Sequence, residues 1–309
     1  MPCYYPLSAW RSIKRNESGK RSLVFSQKDG YYDTNLKIGC GQCRGCRRDK
    51  ARQWAVRCVH EASLHKENCF ITLTFNDKYL DPKGSLRKRD FQLFMKRLRK
   101  MYGSGIRYFH CGEYGDRYHR PHHHACLFGF DFPDKIPWKF EKGIILYRSP
   151  SLESLWSCPI SGDSFGYSSV GSVTYESAAY VAGYCLKKIT GDKAPDHYQG
   201  RLPEYATMSR GSKKIGTKGI GSAWFKKYGS DILRHGAVVM PGGHKQKVPK
   251  YYDRSFELTN PEEYAKIRYE RARQSREQKF SHELSQERLH VKQVVEDARY
   301  ALKKKSLDL

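Results

Sequence analysis

No run of about 18 apolar residues occurs in this chain, and no apolar leader opens it. A membrane-spanning helix and a secretory route are therefore not expected; the chain reads as cytoplasmic, without a membrane partner. A Walker A glycine loop is also missing, which argues against a built-in ATP motor. Acidic residues are scarce, with 32 Asp and Glu against 57 Lys and Arg, a formal charge of +25 spread along the whole chain. Self-repulsion of that size disfavours a compact state unless a polyanion neutralises it, so nucleic acid is the expected partner. The 10 cysteines among 309 residues are too few for a disulfide scaffold and are spaced in part like metal ligands. No internal repeat is evident, and neither Gly nor Pro follows Pro261.

What is present reads as a layered α+β order. Residues 1–46 are punctuated by Tyr, Gly and Cys without a sustained period, as expected of loops and short strands. From Arg47 to His65 the apolar positions Ala51, Trp54, Ala55, Cys58, Val59 and Ala62 repeat at helical spacing. The β-branched and aromatic run Cys69–Phe75 predicts a central strand. A basic helix follows, with Phe91, Phe94, Met95, Leu98 and Tyr102 as its apolar stripe. Strands are expected from Ile106 to Glu113 and from His122 to Phe128, then a Pro-, Gly- and Ser-rich insertion at about 130–170, and a helix from about Tyr175 to Lys188 whose packing stripe is Ala178, Val181, Ala182 and Cys185. Strand, helix, two strands and a helix imply a central antiparallel sheet with helices on one face. The domain expectation is a Cys-rich segment and helix over 1–66, a catalytic domain over 67–255, and a charged helical extension over 256–309.

Chemistry concentrates at a histidine triplet and a tyrosine pair. In a strand, alternate side chains share a face, so His122 and His124 project together while His123 points away. Two imidazoles on one face suit a metal ion, and Glu113, at the end of the preceding strand, is available as a third ligand. Tyr180 and Tyr184 stand four apart on a helix and so share a face, with Lys187 and Lys188 extending that side by a turn. A phenol is a plausible nucleophile toward phosphorus and an equally plausible leaving group, which keeps a phosphodiester exchangeable. A bound Mg²⁺ or Mn²⁺ would polarise the phosphate.

Cys40, Cys43 and Cys46, which Cys3 can join, could form a structural Zn²⁺ site, although closely spaced cysteines also occur as free thiols. Ser209–Lys218, with Arg210, Lys213, Lys214 and Lys218, is a candidate DNA-contacting loop whose composition also suits a solvated surface.

At these residues the sequence resembles the HUH endonucleases, specifically the rolling-circle replication initiators of microviruses, nearest the gokushovirus branch. The matching segments run in order: Cys40-Gly-Gln-Cys-Arg-Gly-Cys46 with Gln53-Trp-Ala-Val-Arg57, Thr72-Leu-Thr-Phe75, Gly112-Glu-Tyr-Gly-Asp116, Arg120-Pro-His-His-His-Ala125, Tyr180-Val-Ala-Gly-Tyr184, Met208-Ser-Arg210 and Pro249-Lys-Tyr-Tyr-Asp253. The resemblance implies an RRM-like βαββα core and a cycle in the cytoplasm of a bacterial host. One tyrosine attacks a phosphate at the viral origin in single-stranded DNA, becomes joined to the 5′ end and leaves a 3′ hydroxyl that primes synthesis; the second resolves the displaced strand. A host helicase and polymerase are the implied partners. Such proteins commonly carry a basic residue just before the second tyrosine, where this chain has Gly183; Lys187 or Lys188 is the expected source of that charge. Other readings are an HUH relaxase or transposase, or a non-catalytic nucleic-acid-binding module, which would need exposed aromatics where this sheet presents histidines.

Overall fold

The computed structural model describes residues 3–17, 21–31, 35–116, 118–141, 144–184, 188–189, 191–192, 194–211, 218–277 and 285–305. In chain order its elements begin with β1 (Leu7–Arg15), β2 (Arg21–Val24), β3 (Leu36–Ile38), α1 (Arg44–Ala62), β4 (Asn68–Leu73), α2 (Lys88–Tyr102), β5 (Arg107–Tyr114) and β6 (Pro121–Phe128). Then follow β7 (Ile136–Glu141), β8 (Ile144–Arg148), α3 (Pro150–Leu155), β9 (Ser168–Gly171), α4 (Tyr175–Tyr184), α5 (Ala194–Tyr198) and β10 (Tyr205–Met208). The last are α6 (Ser222–His235), β11 (Ala237–Val239), β12 (Lys245–Lys247), α7 (Lys250–Thr259), α8 (Pro261–Glu277) and α9 (Gln286–Lys305). The chain forms two units, residues 1–50 with 265–309, and residues 51–264.

The larger unit is built on a seven-stranded sheet in the order β10-β5-β6-β4-β9-β8-β7, with antiparallel pairing throughout. Its class is the α+β, antiparallel-sheet architecture that the sequence implies. On β4 the alternation Cys69, Ile71, Leu73 turns one set of side chains into a core with Ala125, Leu127 and Val170, covered by Phe91, Phe94, Met95 and Leu98 of α2 and by Leu152 and Leu155 of α3. Each large apolar side chain buried there contributes about 1.5–3 kcal/mol relative to exposure. α2 ends where Gly103, at φ 104°, turns the chain while its N–H still donates to the Arg99 carbonyl. α3 starts on Ser149, whose hydroxyl accepts from the Leu152 N–H, with Pro150 in the first turn.

The opposite face of the sheet also receives helix. Phe109, Cys111, Cys126 and Phe128 point there and pack against Ala51, Ala55 and Cys58 of α1 and Ala178, Val181 and Ala182 of α4. The small residues of α4 let it approach the sheet closely, over β5 and β6. The stretch expected as an insertion contributes β7, β8 and β9 to the sheet itself.

In the smaller unit β1 is the centre of a three-stranded antiparallel sheet, β2-β1-β3. α9 is tied to the first turns of α1: Arg44 and Arg48 form ion pairs with Asp297 and Glu296, and the Arg44 guanidinium lies 4.3 Å from the Tyr300 ring centre. The Tyr5 hydroxyl donates to Gln293 at 2.6 Å. The charged extension therefore docks through specific partners within its unit.

Candidate metal centre and tyrosine helix

Register fixes the centre. Glu113 on β5 is paired with His122 on β6, and His124, two residues on, is paired with Cys111, so all three side chains project from the face that carries α4. His122 Nε2 lies 2.7 Å and His124 Nε2 3.1 Å from the same oxygen, Glu113 Oε1. Their ligand atoms all fall within 4.8 Å of one another, an arrangement that could hold a metal ion. His123 projects into the opposite core, where it is fully buried and pairs its Nδ1 with His110 Nε2 at 3.2 Å.

The donor set fits a divalent cation. His122 Nδ1 lies 3.0 Å from the Arg120 carbonyl oxygen, which can only accept, so Nδ1 carries the proton. In the neutral ring Nε2 is then a lone pair, and it points at a carboxylate oxygen. Two lone pairs face each other at 2.7 Å only with a proton shared between them or a metal ion beside them. A ring N–H held by a backbone carbonyl is also the usual support of a metal-bound imidazole. On the other ligand, Thr72 Oγ1 lies 2.9 Å from His124 Nδ1.

Electrostatics agree with this polarity. Burial alone would push the Glu113 carboxyl up, but hydrogen bonds and positive charge from His122 and His124 outweigh it and hold it below its usual range. Burial, reinforced by charge on His122 and His124, pushes His123 down to about 3, so that ring stays neutral.

α4 delivers tyrosine to this centre. The Tyr180 ring is half-exposed and stands edge-on to the His124 ring, with centroids 5.1 Å apart. It also meets Phe70, which stacks against His124. Tyr184 is the last residue of α4. The side chain of Tyr184, and Lys187, Lys213 and Lys214 altogether, lie outside the described residues. Lys188, Arg210 and Lys218 are exposed. The Lys218 carbonyl accepts from Arg107 at 2.8 Å.

A second cluster lies in the smaller unit, where the sulfurs of Cys3, Cys40, Cys43 and Cys46 all fall within 4.8 Å of one another. The Cys40 N–H donates to Cys3 Sγ and the Cys43 N–H to Cys40 Sγ, each at 3.3 Å. Burial would raise the Cys43 thiol, but backbone and thiol hydrogen bonds bring it down to about 7. Burial and the neighbouring sulfurs push Cys46 up. Four crowded sulfurs cannot all ionise without a cation, and tetrahedral thiolate sets suit zinc.

Sequence reasoning missed Thr72 and the Arg120 carbonyl as supports of the two imidazoles. Thr72 carried a signal, because alternation along β4 puts Phe70 and Thr72 on one face; the carbonyl had none.

Comparison with known chains places the sequence that builds this centre among replication-associated proteins. Residues 68–189, which contain the whole centre and α4, match the family described as replication-associated protein ORF2/G2P. Replication-associated protein VP4 of Bdellovibrio phage phiMH2K is 33% identical over 264 residues, covering 82% of this chain and 78% of that one. Replication-associated protein ORF2 of Spiroplasma virus 4 is 30% identical over 283 residues, 85% of this chain and 83% of that one. Replication-associated protein ORF4 of Chlamydia phage 1 is 28% identical over 72% of this chain and 55% of that one. The chain belongs to this family of microvirus replication-associated proteins. No solved structure matches it.

Proposed function

We propose that the chain is a replication initiator endonuclease, which nicks single-stranded DNA at a viral origin through tyrosine and rejoins it. The observation that carries this reading is the position of Tyr180 beside a centre made of two imidazoles and one carboxylate on the same sheet face. Glu113, His122 and His124 would hold Mg²⁺ or Mn²⁺, which supplies charge that polarises the phosphate. Thr72 and the Arg120 carbonyl keep the two rings oriented.

The phenol of Tyr180 or Tyr184 gives its proton to solvent as its oxygen attacks phosphorus, the P–O3′ bond breaks, and the departing 3′ oxygen takes a proton from solvent. The 5′ phosphate stays on the tyrosine, and the free 3′ hydroxyl primes synthesis by a host polymerase behind a host helicase. The other phenol then attacks the next origin phosphate and displaces its 3′ oxygen, and the 3′ hydroxyl so released attacks the first phosphotyrosine, which closes the circle and frees the first phenol. Lys187 and Lys188 supply positive charge beside the transferring group, and Arg210, Lys213, Lys214 and Lys218 hold the DNA backbone. Zn²⁺ on Cys3, Cys40, Cys43 and Cys46 fastens the N-terminal segment. All of this takes place in the host cytoplasm; no helix among the described residues is long and apolar enough to cross a membrane.

Incubating the protein with labelled single-stranded DNA and Mn²⁺ should give a covalent adduct that survives denaturation, and EDTA should prevent it. DNA that binds but is never cut or linked would contradict the reading.

A further inference from the structure

Beside the candidate centre lies an open cavity of about 400 Å³ whose lining includes Thr74, Asn76, Asp77, Arg120, His122 and Tyr167. His122 thus belongs to both the centre and the cavity. Tyr167 forms the far wall: it immediately precedes β9, which lies next to β4, and β4 lies next to β6. Two inter-strand steps separate it from His122, roughly 10 Å.

The Tyr167 ring is 80% exposed although its backbone is firmly held. Its carbonyl accepts from both the N–H and the hydroxyl of Thr74, each at 2.9 Å. The preceding Gly166 lies so close to the segment just after β4 that a Cβ there would come within 2.5 Å of the Thr74 carbonyl oxygen. A held backbone thus places an exposed aromatic side chain at the rim of the cavity.

The opposite wall carries a cation. One nitrogen of Arg120 donates to the Phe75 carbonyl at 2.9 Å, and the other pairs at 2.5 Å with Asp77, whose carboxylate is 90% exposed. An ion pair in water contributes little, so an incoming phosphate can replace Asp77 while the contact to Phe75 keeps the guanidinium aimed. An exposed ring and an aimed guanidinium across one small cavity are the two elements by which single-stranded nucleic acid is held: a face for the base and a charge for the backbone.

We propose that this cleft is a nucleotide subsite for single-stranded DNA, in which one base stacks on Tyr167 and an adjoining phosphate binds Arg120. The inference rests on the DNA-binding part of the proposed function and gives it a location next to the candidate centre.

The test uses the full chain carrying Tyr180→Phe and Tyr184→Phe, which keeps its metals and forms no linkage, with two fluorescent probes: a dodecamer of thymidylate and an all-abasic dodecamer of the same charge. Tyr167→Ala should weaken the thymidylate probe by about tenfold, the scale of one lost base stack, and leave the abasic probe unchanged; Tyr167→Phe should behave like the wild type. Arg120→Gln should weaken both probes and reduce the log-log salt slope by about 0.7, one phosphate. Asp77→Asn should tighten both by about two- to fivefold. Equal losses on both probes for Tyr167→Ala, or no loss on either, would overturn the proposal. Adduct formation in Mn²⁺ is scored separately, in the chain with both tyrosines: its absence beside an intact Tyr167 effect overturns the nicking reading and supports the cleft, whereas its presence beside equal losses does the reverse.

Discussion

At the residue scale the histidine triplet separates chemistry from packing. His122→Ala and His124→Ala should each abolish adduct formation and lower metal affinity, read by titration with Mn²⁺, since each removes one ligand of a three-ligand set. His123→Ala should instead cost about 2–4 kcal/mol of stability, because it empties a site among Phe75, Phe91 and Trp156, while the folded fraction still forms adduct. Equal loss of adduct per folded molecule for all three would remove the argument from strand alternation. A period of two suffices to sort these three rings and to add Glu113, so this part of the centre is legible in the sequence. The tautomer of His122 is not, because it depends on a carbonyl that only the hairpin brings within reach.

His60 gives a second residue-scale outcome. It is buried between Trp224, 3.5 Å away between ring centres, and Tyr252, and burial lowers its pKa to about 4. Its unfolded value is about 6.5. The depressed value means that the fold accommodates the neutral ring: stability from this group is complete above about pH 6.5 and is lost as pH falls from there toward 4, by about 3 kcal/mol in all. His60→Gln should therefore show a smaller drop in Tm between pH 7 and pH 4.5 than the wild type. An unchanged acid slope would show that His60 does not titrate in that window.

At the element scale, periodicity finds α1, α2, β4, β5, β6 and α4, because each carries a clear stripe or alternation over several residues. It does not find β7, β8 and β9. β9 is only Ser-Ser-Val-Gly, too short and too polar to show a period, and it becomes a strand because β4 supplies the pairing partner. The same tertiary effect hides Tyr167, whose value lies in a neighbour two strands away. The loop that holds Cys40 and Cys43 and the first turn of α1, with Cys46, is an element of a different kind, arranged around sulfur rather than around apolar contact. Zinc should co-purify with the chain at close to one equivalent, and Cys43→Ser or Cys46→Ser should lower that and destabilise the pairing of α9 with α1. Less than about a tenth of an equivalent, in protein prepared without chelators, would return these residues to free thiols.

At the scale of the whole molecule, the charge of +25 is a statement about partners rather than about fold. Contact with about five phosphates of single-stranded DNA implies a log-log salt slope of about −3.5, so binding should weaken roughly a hundredfold between about 50 and about 200 mM salt. A slope near zero would exclude electrostatic holding of DNA. The acidic side chains that do occur are partly committed to internal pairing, as with Asp297 and Glu296 on α9, which leaves the excess of basic side chains available to a polyanion.

The central claim is that a phenol on α4 takes up phosphate beside the Glu113, His122 and His124 centre. Its most direct test is peptide mass mapping of the covalent adduct formed with single-stranded DNA and Mn²⁺, in the wild type and in Tyr180→Phe, Tyr184→Phe and the double variant. Phenylalanine keeps the ring and removes only the oxygen, so folding and DNA binding persist and a loss confined to linkage identifies the nucleophile. The predicted result is DNA linked to Tyr180 or Tyr184, some single-turnover linkage in each single variant, and none in the double variant; linkage to any other residue, or an adduct that survives the double substitution, would contradict the account.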